Sequence, residues 1–149
     1  MKKFKFKLQP LVNYKETIER MQKEELRRAQ EVLKELQREE QRLLQAYVDT
    51  ERSLEDALEK NENVAQALSE HDAYFRYLRD AIKNVRERIV KAEQVVANCQ
   101  EKLIVTMKEL KTYDKLREEQ YQEYLKEVKI EEEKEMDGLV SFKIVSGRR

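Results

Sequence analysis

Residues 75–113 read FRYLRDAIKNVRERIVKAEQVVANCQEKLIVTMKELKTY, with a recurring set of positions at alternating steps of three and four: Phe75, Leu78, Ile82, Val85, Ile89, Ala92, Val96, Cys99, Leu103, Thr106, Leu110 and Tyr113. Only Thr106 in that set is clearly polar. Such spacing averages about 3.5 residues, the period of a left-handed coiled-coil seam and narrower than the stripe of a globular-core helix. A rod with a thin seam is the expected product.

Composition agrees. Charged residues make up 42% of the 149, and the chain holds only two glycines and one proline. Gly138 and Gly147 lie near the end and Pro10 near the start, so little between them breaks a helix. One structural unit over residues 1–149 is expected. The 31 basic and 31 acidic residues cancel, which argues against a chain held on nucleic acid or anionic lipid by bulk charge. No apolar run approaches the roughly 18 residues of a membrane span, and the opening Met-Lys-Lys-Phe-Lys-Phe-Lys lacks a signal-peptide core. A cytoplasmic home follows. The single cysteine, Cys99, sits on the seam, where a small apolar thiol packs.

Along the chain, residues 1–10 alternate Phe4, Phe6 and Leu8 with lysines, which suits an extended or frayed segment. Pro10 fits the first turn of a helix over residues 11–59. That helix places Leu11, Tyr14, Ile18, Leu26, Ala29, Leu33, Leu36, Glu40, Leu43, Tyr47, Thr50, Leu54 and Ala57 on one side. The step from Ile18 to Leu26 implies a break in heptad phase at Gln22. Residues 60–72 lose the beat and carry Asn61, Asn63, Ser69 and Asp72, so they form the bend, with Ser69 or Asp72 capping the next helix. The second helix covers residues 73–134 and fades in Glu131-Glu132-Glu133. Residues 135–149 form a tail, in which Asp137-Gly138 stops the helix and a β-prone apolar stretch leads to Gly-Arg-Arg.

The fold class expected is therefore all-α, a long antiparallel two-helix coiled-coil hairpin. Matching the beats pairs residues whose numbers add to 132, such as Leu54 with Leu78, Leu43 with Ile89 and Leu33 with Cys99. At about 1.5 Å per residue the first helix is roughly 70 Å long. Glu40 then opposes Ala92 as a polar interruption that fixes register.

Chemistry is sparse. His71 is the only histidine, so no Ser-His-Asp, Cys-His or multi-histidine metal arrangement can be built, and neither glycine belongs to a phosphate-binding loop. No catalytic residue, no cofactor site and no metal site is expected. The carboxylates read as exposed partners of Lys and Arg on helical surfaces.

What the seam leaves over is a set of apolar residues beside it. Leu44 and Val48 on the first helix, with Tyr74, Tyr77 and Ala81 on the second, either broaden the seam or form a docking face for another protein. Tyr121, Tyr124 and Leu125 make a weaker patch toward the free ends.

The opening Phe4-x-Phe6-x-Leu8-Gln9-x-Leu11, then a charged helix, a polar bend, a second helix and a Glu/Lys-rich segment ending Met136-Asp137, resembles the flagellar export protein FliJ family over nearly the full chain. The resemblance implies an antiparallel coil similar to the central stalk of rotary ATPases, without an active site. It implies three partners: the flagellar export ATPase, the cytoplasmic domain of an export-gate membrane protein, and export chaperones. It also implies a place at the flagellar base, peripheral to the inner face of the cell membrane. On this chain the gate-facing residues would be Leu44, Tyr47, Tyr74, Tyr77, Leu78 and Ala81. Those toward the ATPase ring would be Phe4, Phe6, Leu8, Leu11, Tyr121 and Tyr124. The family's Asp-Glu is replaced here by Asp137-Gly138. The alternative is a structural or regulatory coiled coil outside secretion.

Overall fold

A computed structural model describes residues 2–60 and 63–147. Two helices account for most of them: α1, Gln9–Glu59, and α2, Val64–Gly147. They pack against each other as an all-α helical hairpin. The chain divides into two compact units: Met1–Arg20 with Ile104–Arg149, and Met21–Leu103.

Within the Met21–Leu103 unit the helices are antiparallel, because partners on α2 fall in number as those on α1 rise. Glu39 meets Arg88 at 3.8 Å, Glu40 meets Arg86 at 3.1 Å, Tyr47 packs on Phe75 with ring centroids 5.0 Å apart, and Ser53 meets His71 at 3.2 Å. These pairs add to between 122 and 127, about one heptad below the register of 132 expected from the beat. The physical reason is the turn. A seven-residue repeat fits equally well after a shift of one heptad, so the connection length decides. Helix α2 starts at Val64, nine residues before the expected 73, and the segment expected as bend is mostly helical.

Asn63 makes that early start possible. Its side-chain Oδ1 accepts a hydrogen bond from Gln66 N at 3.4 Å, and Ala67 N donates to its carbonyl at 3.0 Å. This is N-cap geometry, so the cap is Asn63, neither Ser69 nor Asp72. Both of those lie inside α2, where Asp72 instead pairs with Arg76 at 3.2 Å. Asn61, expected in the bend, and the terminal Arg148-Arg149 lie outside the described residues.

All twelve seam positions from Phe75 to Tyr113 are buried or half-buried. Leu36, Val85, Ile89 and Ala92 form a core cluster, with Leu33 and Leu43 packed against it. On α1 the beat has no skip. It runs back from Leu26 through Gln22, Glu19 and Lys15 to buried Val12, while Leu11 faces out and Tyr14 is 62% exposed. The expected phase break at Gln22 is thus a run of polar seam residues, which a search for apolar spacing passes over.

At the other end α2 does not fade at Glu131 or stop at Gly138. It continues to Gly147, with residues 129–147 exposed throughout. Extending an existing helix adds hydrogen bonds without a new nucleus, so one glycine costing about 1 kcal/mol does not end it.

Candidate functional site

A two-stranded antiparallel coil has two flanks. Residues that follow a seam position at the end of a three-step lie on one flank, and residues that precede the start of one lie on the other. Leu44 follows Leu43, while Arg79 and Arg86 follow Leu78 and Val85. Ala46 precedes Tyr47, Tyr74 precedes Phe75, and Ala81 precedes Ile82. The structure places Leu44, Arg79 and Arg86 in one groove of the Met21–Leu103 unit and Ala46 and Tyr74 in another.

The first groove, of about 540 Å³, has Leu44, Tyr47, Ile82 and Val90 along its floor and Arg79, Lys83, Arg86 and Glu87 around it. The second is lined by Ala46, Asp49, Thr50, Ser53, Glu70, His71 and Tyr74. His71 ties that second flank together: Nδ1 lies 2.6 Å from the Ala67 carbonyl and Nε2 lies 3.2 Å from Ser53 Oγ. A carbonyl only accepts, so Nδ1 carries a proton and donates to Ala67, while Nε2 and the Ser53 hydroxyl share the second hydrogen bond.

The six residues expected to face the gate are consequently not one patch. Leu78 is 1% exposed and belongs to the core. Tyr47 is half-buried against Phe75, and Leu44 lines the first groove. Tyr74 and Tyr77, 45% and 63% exposed, stack with centroids 6.0 Å apart, and half-buried Ala81 follows one turn later. The accessible aromatic surface is therefore Tyr74 with Tyr77.

Three of the six residues expected to face the ATPase ring are engaged with each other. In the unit of Met1–Arg20 with Ile104–Arg149, Phe4 meets Tyr121 edge-on at 5.3 Å and Tyr124 at 5.5 Å, and the two tyrosines stack at 6.2 Å. Tyr124 Oη donates to the Lys2 carbonyl at 2.9 Å. Phe6 is buried, Leu8 is half-buried and Leu11 is exposed. Sequence reading missed Val12, which is buried in Leu11's stead. Its signal was present, because Val12 is three residues before Lys15, whose seam position only its polarity conceals.

Charge follows the same geometry. Lys15 Nζ and Glu109 Oε2 approach to 2.6 Å across the helices, and that hydrogen bond raises the Lys15 pKa above its ordinary value against partial desolvation. Thr106, on the α2 seam of the same unit, is 5% exposed. On α1, Arg27 donates to Glu24 at 2.7 and 3.0 Å, which holds the Glu24 carboxyl down to about 2 and raises the Arg27 pKa. Gln22 Oε1 is buried without a hydrogen-bond partner. Among the described residues no group of three or more His, Cys, Asp or Glu side chains is placed to hold a metal ion, and no helix is long and apolar enough to cross a membrane.

In comparison with known proteins, the family model described as the flagellar FliJ protein matches residues 4–149. No curated protein and no solved structure matches the chain.

Proposed function

This chain belongs to the flagellar FliJ family, and from that premise we propose that it is a non-enzymatic stalk of flagellar type III export. It links the export ATPase to the export gate and escorts export chaperones. It works at the flagellar base, peripheral to the inner face of the cell membrane. A stalk acts through unequal contacts with its partners in their different states, and the ATPase supplies the energy.

The observation that carries this reading is the Tyr74–Tyr77 stack. Two large side chains stand 45% and 63% exposed on a helix whose opposite side is held in the seam by Phe75 and Leu78. Exposed aromatics on a rigid support are typical anchors of protein contacts, since they bury much area for little lost side-chain freedom. We assign gate docking to Tyr74, Tyr77 and the small Ala81 beside them. ATPase docking falls to the unit that contains both termini, through Leu11 and the exposed edges around Phe4, Tyr121 and Tyr124.

The test is binding of the full chain to the cytoplasmic domain of an export-gate protein and, separately, to an export ATPase. Tyr74→Ala with Tyr77→Ala should weaken gate binding about tenfold or more while circular dichroism and ATPase binding stay unchanged. Failure to bind either partner at low salt would remove the stalk reading.

A further inference from the structure

The residues assigned to ATPase docking are partly covered by the chain itself. In the unit that contains both termini, residues 2–8 precede α1, are not helical and lie against α2. Phe4 packs on the rings of Tyr121 and Tyr124, and Phe6 is 7% exposed. Among the described residues a single hydrogen bond, from Tyr124 Oη to the Lys2 carbonyl, ties the segment to α2. A cover held by so few side chains belongs to the low end of local stability.

Charge is segregated at this place, although the chain as a whole is neutral. Residues 2–8 carry Lys2, Lys3, Lys5 and Lys7 and no acid, whereas residues 118–135 hold eight carboxylates against three lysines. Glu123, Glu127 and Glu131 are four residues apart, so they form one row along α2. That row and the four lysines line one open cleft of about 1390 Å³. No ion pair crosses it among the described residues. Opposite charges held apart in this way still attract, and salt screens them over about 8 Å.

We infer that residues 2–8 are a releasable strap. The strap covers Tyr121 and Tyr124, attraction between its lysines and the glutamate row sets how often it lifts, and ATPase docking requires it lifted. The docking clause rests on the stalk reading; the strap itself does not. A partner that binds only the lifted form has its affinity reduced to the lifted fraction. Weakening the strap therefore tightens docking, the reverse of what loss of a simple contact would do.

The chain contains no tryptophan, so Phe4→Trp in the full chain reports the strap alone. Its emission should be blue-shifted at low salt, then move to the red at about 0.5 M sodium chloride, with acrylamide quenching about threefold or more faster. Glu123→Lys with Glu127→Lys should produce the same change at low salt, and the glutamine pair a smaller one. Emission indifferent to both salt and these substitutions would overturn the strap, whether or not an ATPase binds. Docking is read separately, on a chain with Lys5→Cys, Glu127→Cys and Cys99→Ala, titrated with an export ATPase before and after closure by a flexible bismaleimide. Closure should weaken binding about tenfold or more while circular dichroism stays unchanged. Equal affinity of the open and closed forms would overturn the masking role. Failure of the open form and of the unaltered chain to bind would remove the stalk reading and the masking role together, and the fluorescence alone would then decide the strap.

Discussion

The aliphatic seam of the Met21–Leu103 unit and the packing of the unit that holds the termini solve the same problem with different chemistry. In the first, Leu33, Leu36, Leu43, Val85, Ile89 and Ala92 repeat one kind of contact, and each residue is interchangeable in type with its neighbours. In the second, Phe6 and Val12 are buried, but they share the unit with a Lys15–Glu109 bridge, a buried Thr106 and the Phe4–Tyr121–Tyr124 ring cluster. The first holds by area removed from water. The second holds by contacts that only particular residues can make, and its stability is accordingly more local.

The largest effect expected from this contrast comes from Leu78→Ala. Leu78 is 1% exposed, and deleting a buried leucine side chain costs about 2–5 kcal/mol. Urea unfolding should show that loss with an unchanged slope; a loss below about 1 kcal/mol, outside that range, would mean that the aliphatic seam does not dominate.

Next in size is a gain. Gln22 occupies a seam position with its Oε1 buried and unpaired, and such a group costs about 1–3 kcal/mol. Gln22→Leu should therefore stabilise the chain by about 1–2 kcal/mol and raise its Tm. Destabilisation would show that the amide does necessary work at that seam position.

How much of this was legible follows from what repeats. The seam from Phe75 to Tyr113 was readable because twelve positions keep one beat and all of them are buried or half-buried. Register was not readable, since a heptad pattern looks the same after a shift of seven; the early cap at Asn63 sets it. The α1 seam below Leu26 was hidden because Lys15, Glu19 and Gln22 sit where apolar residues were sought. Leu44 and Tyr74 were both visible as extras beside the seam. Their separation onto two flanks needed one more step, noting that Leu44 follows its seam neighbour while Tyr74 precedes its own. Contacts such as Phe4 with Tyr121 have no periodic signature, and the sequence offered only their residue types.

Phe4→Ala measures the second region. The ring is half-buried between two tyrosines, and aromatic contacts of this geometry contribute about 0.5–1.5 kcal/mol beyond area. A loss of about 1 kcal/mol is expected, with hydrogen exchange quickened near residues 2–8 and unchanged around Val85. Equal quickening around Val85 would erase the distinction between the two regions.

The smallest effect separates exposed charge from both kinds of packing. Glu24 is held down to about 2 first by its hydrogen bonds from Arg27, from an ordinary 4.5, with Arg28 adding attraction and partial desolvation opposing. A carboxyl whose folded pKa is lowered contributes stability above its unfolded value and loses it as pH falls through the folded one. The window is therefore roughly pH 4.5 down to 2. Within it the local helix should loosen only slightly, because the pair is solvent-exposed and screened. A carboxyl NMR titration should place the Glu24 midpoint near 2, and Arg27→Gln should return it toward 4.5. The Lys15–Glu109 bridge responds in the opposite direction: its lysine pKa is raised, so its contribution is complete below 10.5 and is lost as pH climbs through the raised value. Acid should thus relax the Arg27 site and leave the lysine side of the Lys15 bridge charged, whereas alkali should release Lys15 and spare the aliphatic seam. Loss of the Val85 region at either extreme before these local changes would make charge, not apolar burial, the seam's main support.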